Sequence, residues 1–123
     1  MSLEQIKSKF KHHETSKGLL INGECFEVME ELRKANVVFD AIVTDVPYGT
    51  VKGMEYKEMI QSNSSHEWDT ILDQKAMVGF INDLLRMNGA CLLFSQEPYT
   101  SFLRTNAHNN VPFSYGYIWL KDN

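Results

Sequence analysis

A nearly continuous apolar segment that stops at a proline-containing turn constrains the fold of this chain more than any other feature. Residues 37–44 read Val-Val-Phe-Asp-Ala-Ile-Val-Thr, and residues 45–49 read Asp-Val-Pro-Tyr-Gly. A run rich in β-branched residues is typical of a strand that is covered on both faces, as the strands of parallel sheets are. The segment therefore predicts a buried strand over Val37–Thr44, with a polar turn at its carboxyl end.

Helix and strand patterns alternate along the rest of the chain. Leu19–Ile21, closed by an Asn-Gly turn, predicts a first buried strand, and the spacing of the next apolar residues predicts a helix over Cys25–Ala35. A second helix is expected to be capped by Asp73 and stopped by Gly89. Its apolar residues recur at i, i+3, i+4, i+7 and i+8: Met77, Phe80, Ile81, Leu84 and Leu85.

Three more elements are predicted towards the C-terminus. Ala90–Phe94 predicts a third buried strand, residues 98–104 predict a short helix that begins at a proline, and Tyr115–Leu120 predicts a fourth strand. Residues 51–67 lose periodicity and turn polar, so we predict a long surface loop there, in a position suited to a lid. Strands that alternate with helices predict an open α/β sheet with helices on both faces.

The charge balance limits how the chain can meet nucleic acid. Its 123 residues carry a net charge of −4, whereas phosphate contacts normally require a surplus of Lys and Arg on the docking face. One basic run lies within residues 1–18: Lys7, Lys9, Lys11, His12, His13 and Lys17. This run is either a local grip on DNA or a solvated, partly disordered arm, and we favour the arm. We therefore predict an arm over residues 1–18 and one domain over residues 19–123.

The two cysteines and four histidines bear on compartment and metal binding. The cysteines lie inside apolar stretches, and the chain has neither a signal peptide nor a run of about 18 apolar residues. We therefore expect a cytoplasmic protein without a disulfide or a membrane partner. The histidines show no ligand spacing with the cysteines, so we predict no metal site.

Chemistry is expected at the carboxyl end of the strand Val37–Thr44, because open α/β sheets bind ligands there. Asp45 and the carbonyl of Val46 are hydrogen-bond acceptors, and Tyr48 offers a flat face for stacking. Acceptors beside an aromatic ring are what a site needs in order to hold an aromatic amine for reaction. The same residues also suit an ordinary strand-exit turn, because Asp, Pro and Gly are the commonest turn residues.

These segments together resemble the DNA amino-methyltransferases of a circularly permuted class. That family's signature is Asp, Asn or Ser, then two prolines, then an aromatic residue, and here it reads Asp45-Val46-Pro47-Tyr48. Other segments resemble family segments in the expected order, over about residues 19–121: Asn22-Gly23-Glu24-Cys25, Val38–Thr44, Trp68-Asp69, Met87-Asn88-Gly89, Ala90–Phe94 and Ile118–Lys121. The ordered series is far more specific than the tetrapeptide alone.

The resemblance implies transfer of a methyl group from S-adenosylmethionine to adenine N6 or cytosine N4 in DNA, with adenine favoured. Asp45 and the Val46 carbonyl would accept the N–H groups of the amine, Pro47 would hold Val46 extended, and Tyr48 would stack on the extruded base. The family usually has proline where Val46 stands. The backbone carbonyl survives this change, but some rigidity is lost.

The donor side of the site is expected to be incomplete. The resemblance assigns Asn22, Glu24 and Asp45 to contacts with S-adenosylmethionine, and Glu24 stands where the family usually has aspartate. The Phe-x-Gly-x-Gly turn that closes the donor site in this family does not occur in the sequence. The family's sheet order then leaves a gap between the first and second strands, which predicts strand edges that pair in a homo-oligomer or with a complementing C-terminal half.

Two further residues are candidates for the substrate pocket, and alternatives stand beside the main function. Trp68 either shapes the target pocket or anchors the loop, and Ser95 either borders the pocket or ends its strand. We expect the chain alone to have little or no activity. The alternatives are a non-catalytic remnant or split subunit that acts through assembly, and a methyltransferase that acts on RNA or on protein glutamine.

Overall fold

The structure is a computed structural model, and it describes residues 2–49 and 70–122. Within these residues the chain is an α/β protein with four helices and two sheets of two strands each. The elements are α1 (Leu3–Lys9), β1 (Lys11–Thr15), β2 (Gly18–Asn22), α2 (Cys25–Lys34), β3 (Phe39–Asp45), α3 (Gln74–Leu84), β4 (Leu85–Phe94) and α4 (Tyr99–Thr105). The predicted α/β class is confirmed, whereas a partial Rossmann-like sheet with helices on both faces stays a prediction. The predicted lid over residues 51–67 lies outside the described residues.

The described residues of the N-terminal segment form a helix and an exposed strand, whereas the division into an arm over residues 1–18 and a domain over residues 19–123 stays a prediction. Ser2 and Gln5 form a capping box at the start of α1, which satisfies backbone N–H groups that a helix end otherwise leaves free. Ile6 is fully buried, and β1 pairs antiparallel with β2 from Lys11 opposite Asn22 to Thr15 opposite Gly18. A cap, a buried side chain and a strand partner together order residues that composition alone marks as an arm.

The first predicted strand is present as β2, but its environment differs from the prediction. It pairs with β1 in a hairpin and lies in a different sheet from β3. Leu20 is 71% exposed, so the expectation of a buried strand over Leu19–Ile21 is wrong. In a two-stranded hairpin each strand has one partner, and a short apolar run does not reveal whether a second layer covers it.

Strands β3 and β4 form a parallel pair, which confirms the second and third predicted strands. Residues 41–45 lie opposite residues 90–94 in unbroken register. The expected coverage of both faces is wrong, because Val43 is 63% exposed and Leu92 is 49% exposed. Gly89 does not stop the preceding helix, since α3 ends at Leu84 and Gly89 already lies in β4, where a side chain would meet that of Leu85.

The core lies where α3, α4 and the end of β3 meet. Val46, Met77, Ile81 and Tyr99 form one buried cluster, and the predicted cap of α3 is confirmed because the Asp73 carboxylate accepts a hydrogen bond from the amide of Ala76. The helix predicted over Cys25–Ala35 is confirmed as α2, and the short helix after Pro98 is confirmed as α4. α2 packs against α3 through the stacked rings of Phe26 and Phe80, whose centroids are 5.7 Å apart.

The fourth predicted strand, Tyr115–Leu120, is wrong for this structure, in which residues 112–122 form neither helix nor strand. Its alternating aromatic and aliphatic residues suit a strand, but β-pattern residues form one only where a neighbouring edge supplies hydrogen bonds. Trp119 instead approaches the ring of Phe94, with centroids 5.9 Å apart. The segment therefore carries a strand pattern without strand pairing.

A buried carboxylate joins the N-terminal helix to α2. Glu31 is 3% exposed and accepts from Lys9 Nζ at 3.0 Å and from Lys34 Nζ at 3.1 Å. Hydrogen bonds from Lys9 and then Lys34 hold the pKa of Glu31 below its ordinary value. A buried charge needs such partners, because burial without them is unfavourable.

We predict that Glu31→Gln makes stability less sensitive to acid. The pKa of Glu31 is lowered from 4.5 by folding, so its contribution to stability is complete above that value and is lost as pH falls through the folded-state pKa. Urea unfolding between about pH 6 and about pH 3, followed by circular dichroism, should show a smaller fall in the free energy of unfolding for Glu31→Gln than for wild type. The exposed Glu27→Gln is the control, and equal slopes for Glu31→Gln and wild type would contradict the prediction.

Candidate functional site

The predicted site residues leave the sheet at the carboxyl end of β3. Asp45 is the last residue of this strand and pairs with Phe94, the last residue of β4. Because the pair is parallel, Val46 and Ser95 begin the two exits from the same edge of the sheet. Val46 is 8% exposed and belongs to the core cluster. The exit from β3 is therefore anchored by burial one residue after the exposed carboxylate of Asp45.

Asp45 and Tyr48 are joined directly. The Tyr48 hydroxyl donates a hydrogen bond to Asp45 Oδ1. Burial raises the pKa of Tyr48 to about 12, and the bond to the Asp45 carboxylate adds to the shift. Tyr48 is thus a neutral hydroxyl that donates its hydrogen bond to Asp45, while the carboxylate keeps further acceptor positions on its two oxygens.

The ring of Tyr48 rests on a second aromatic residue that the sequence did not single out. Tyr48 and Tyr99 are stacked with centroids 5.8 Å apart and ring planes at 27°. Tyr99 is 2% exposed and follows Pro98 at the start of α4. The sequence carried a signal for this contact, because an aromatic residue in the first turn after β4 must lie near the same sheet edge as Asp45.

Gly49 completes the turn after the site. Its φ of +70° is in the left-handed region that favours glycine. A Cβ there would approach Ile71 Cγ1 to 2.8 Å, so the turn requires glycine for both its conformation and its space.

Ser95 is placed at the same edge but is bonded within its own turn. Its hydroxyl lies 2.8 Å from that of Thr100, and the nearby Glu97 carboxylate accepts from the amide and hydroxyl of Ser101. These contacts tie the exit of β4 to the start of α4. Trp68, the other predicted pocket residue, lies outside the described residues.

Two of the residues assigned to S-adenosylmethionine, Asn22 and Glu24, lie at the end of β2 and just before α2. The Glu24 carboxylate caps α2 by accepting from the amide of Glu27 at 2.9 Å, and this bond lowers the pKa of Glu24. Asn22 ends β2, in a separate sheet from β3. No hydrogen bond joins either residue to Asp45 among residues 2–49 and 70–122. The assignment of these residues to S-adenosylmethionine therefore stays a prediction.

Other features lie apart from this edge. A shallow, open depression of about 400 Å³ is lined by Arg33, Asp73, Lys75, Ala76, Gly79, Phe80 and Asp83, and so does not include the predicted site. Within the described ranges, no three His, Cys, Asp or Glu side chains are grouped so as to hold a metal ion. No helix in the same ranges is long and apolar enough to span a membrane.

Comparison with known proteins adds no assignment. No family model, no curated protein and no solved structure matches this chain. Its function must therefore be argued from the residues and the geometry at the carboxyl end of β3.

We predict that Asp45→Asn lowers the pKa of Tyr48 from about 12 while leaving it above the ordinary 10.0, because burial is the larger cause of the shift. NMR of protein labelled with 13Cζ-tyrosine should show little change in the Tyr48 signal up to about pH 11 in wild type and the onset of ionisation in Asp45→Asn. Asp40→Asn, on the same strand, is the matched control. Identical Tyr48 titrations in wild type and Asp45→Asn would show that the bond between the two residues does not form.

Proposed function

We propose that this chain supplies the acceptor-binding part of an S-adenosylmethionine-dependent methyltransferase, and that its target is the exocyclic amino group of adenine or cytosine in DNA. The observation that carries the proposal is the exposed Asp45 carboxylate, hydrogen-bonded to Tyr48 beside the buried Val46. In this proposal β3 and β4 belong to a larger Rossmann-like sheet. The donor is held by groups beyond those described, and the compartment is the cytoplasm, in keeping with the free thiols of Cys25 and Cys91.

The acceptors suit an amine because an exocyclic amino group has two N–H donors. Asp45 accepts one N–H and the Val46 carbonyl accepts the other, which orients the nitrogen and draws electron density towards it. Burial of Val46 and the ring of Pro47 limit the movement of that carbonyl. These residues position the amine. Because they are hydrogen-bond acceptors, they favour a nitrogen that carries N–H groups.

The hydrogen-bonding groups of the site favour bases with an amino group over bases with a carbonyl group at the same position. The Tyr48 hydroxyl is a side-chain donor beside Asp45, and it already donates its hydrogen bond to that carboxylate. A carbonyl oxygen at the same position, as in hypoxanthine or uracil, would therefore face two acceptors and no free donor from these residues. Adenine and cytosine are accepted by this arrangement, whereas their deaminated counterparts are rejected.

Tyr48 supplies the stacking surface for a base that has left the duplex. One face of its ring packs on Tyr99, and we propose that the other face takes the base, since every base offers a flat π surface. The net charge of −4 does not favour a strong phosphate grip by this chain alone. We therefore propose that DNA binding is completed by a C-terminal half or a complementing subunit.

Deoxynucleoside binding tests the acceptor site without the donor. We expect deoxyadenosine and deoxycytidine to bind about tenfold more tightly than deoxyinosine and deoxyuridine in NMR titrations, because the oxo forms place a carbonyl oxygen against the acceptors Asp45 and Val46. Asp45→Ala should remove this preference, and Asp40→Ala should keep it. Equal binding of amino and oxo nucleosides by wild type would overturn the proposal. Binding of ribonucleosides or a glutamine peptide in preference to deoxynucleosides would indicate that the substrate is RNA or protein instead of DNA.

A second candidate function, a subunit that acts through assembly, is favoured by the exposed C-terminal apolar segment. Tyr117 and Ile118 are each 87% exposed and Trp119 is 74% exposed. A contiguous exposed apolar segment is typical of an interaction surface, and open strand edges add hydrogen-bonding groups. This candidate and the methyltransferase are compatible if assembly completes the donor site.

We predict that the chain is not a monomer. Size-exclusion chromatography with light scattering should give at least twice the mass of 14.2 kDa, and Ile118→Asp should shift the mass towards that of the monomer by placing a charge in the contact. The matched control is Leu20→Asp, which changes an equally apolar side chain that is 71% exposed in the N-terminal hairpin. A monomeric wild type would contradict the prediction.

A further inference from the structure

Three aromatic rings pack together beside the proposed acceptor site. Tyr99 is stacked with both of the others, with Tyr48 at 5.8 Å and 27° and with Phe102 at 6.0 Å and 29°. Tyr99 is 2% exposed, whereas Phe102 is 39% exposed. Tyr99 is thus the fixed ring, and Tyr48 is the ring on the side of Asp45.

The hydroxyl of Tyr99 contacts a buried amide. Its hydroxyl lies 3.5 Å from Gln74 Oε1, in the first turn of α3. Gln74 is 8% exposed, and its Nε2 has no hydrogen-bond partner in the described structure. A buried amide is unfavourable unless its polar atoms are bonded, so this amide depends on the Tyr99 hydroxyl. Helices α3 and α4 are therefore linked through the ring that supports Tyr48.

We propose that Tyr99 is a positioning residue that sets the plane of the Tyr48 ring, and that Gln74 holds Tyr99 in place for this purpose. The inference rests on the proposed function, because it assigns the selectivity for amino bases to the orientation of Tyr48 and Asp45 together. Offset stacking fixes ring planes relative to each other. The Tyr48 hydroxyl can reach Asp45 only from a restricted set of ring orientations, so the support under the ring also fixes the hydrogen bond.

A purely structural role for Tyr99 predicts a different pattern of effects. Filling the core stabilises the fold, and any large-to-small change there lowers the melting temperature. Leu103→Ala is the matched control, since Leu103 packs against the same cluster but is not part of the ring stack. A positioning role requires that Tyr99→Leu alter Tyr48 and base selectivity at temperatures where both variants are folded.

The experiment measures two quantities in each variant: the ratio of deoxyinosine to deoxyadenosine dissociation constants, and the 13Cζ chemical shift of Tyr48. We expect Tyr99→Leu to lower the ratio by about threefold to tenfold and to move the Tyr48 signal, because the stacking contact is lost. Leu103→Ala should change neither quantity. Tyr99→Phe keeps the ring but removes the bond to Gln74, so it should lower the ratio less than Tyr99→Leu does.

The polar pair provides a second test that does not depend on the fold of Tyr99→Leu. Gln74→Leu should lower the ratio, because it leaves the Tyr99 hydroxyl buried without its partner. The double variant Gln74→Leu with Tyr99→Phe removes both polar groups and should restore the ratio, which a double-mutant cycle measures as coupling. Additive effects of the two changes would contradict the proposed link.

The outcomes separate this inference from the proposed function. If wild type shows no preference for deoxyadenosine, the acceptor function fails, and Tyr99 is then judged by the Tyr48 chemical shift alone. If wild type shows the preference but Tyr99→Leu keeps both the ratio and the shift, the positioning role is overturned while the function stands. A change in Leu103→Ala as large as that in Tyr99→Leu would also overturn it.

Discussion

Parallel pairing of β3 with β4 is the constraint on which the rest of the site depends. It brings both carboxyl ends to one edge of the sheet, so Asp45 lies opposite Phe94 and the exits to Tyr48 and to α4 are neighbours. Burial of Val46 and Tyr99 in one cluster then fixes the two exits against each other. Without the parallel register, the stack of Tyr48 on Tyr99 could not form beside Asp45.

Local patterns predicted the elements of this edge, because their signals are carried by short stretches of sequence. The apolar run before Asp45, the Asp73 cap and Pro98 each act on a few neighbouring residues, and the corresponding strand and helices are present. The burial of the strands was harder to predict from the sequence. The same β-branched run suits a strand covered on both faces or one, and Val43 is 63% exposed because coverage depends on partners distant in sequence.

The differences between pattern and structure at the two ends have related physical causes. Composition marked residues 1–18 as an arm, yet a capping box and pairing with β2 order its described part. Residues 115–120 have a strand pattern but no strand pairing in the described structure, because a pattern cannot supply a neighbouring edge. The same limit applies to the site. Asp45 and Tyr48 could be predicted from the turn chemistry, and the position of Tyr99 directly after β4 was a signal, whereas Gln74 contacts Tyr99 only through tertiary packing.

We propose that Asp45, the Val46 carbonyl and Tyr48 hold an aromatic amine, and the pose of a bound nucleoside tests this proposal. Intermolecular NOEs should connect the Tyr48 ring protons to the base of deoxyadenosine. The labelled exocyclic 15N resonance should respond to Asp45→Asn, as expected for an N–H group bonded to that carboxylate. NOEs from the base to residues elsewhere on the chain, with an amino resonance indifferent to Asp45, would contradict the account.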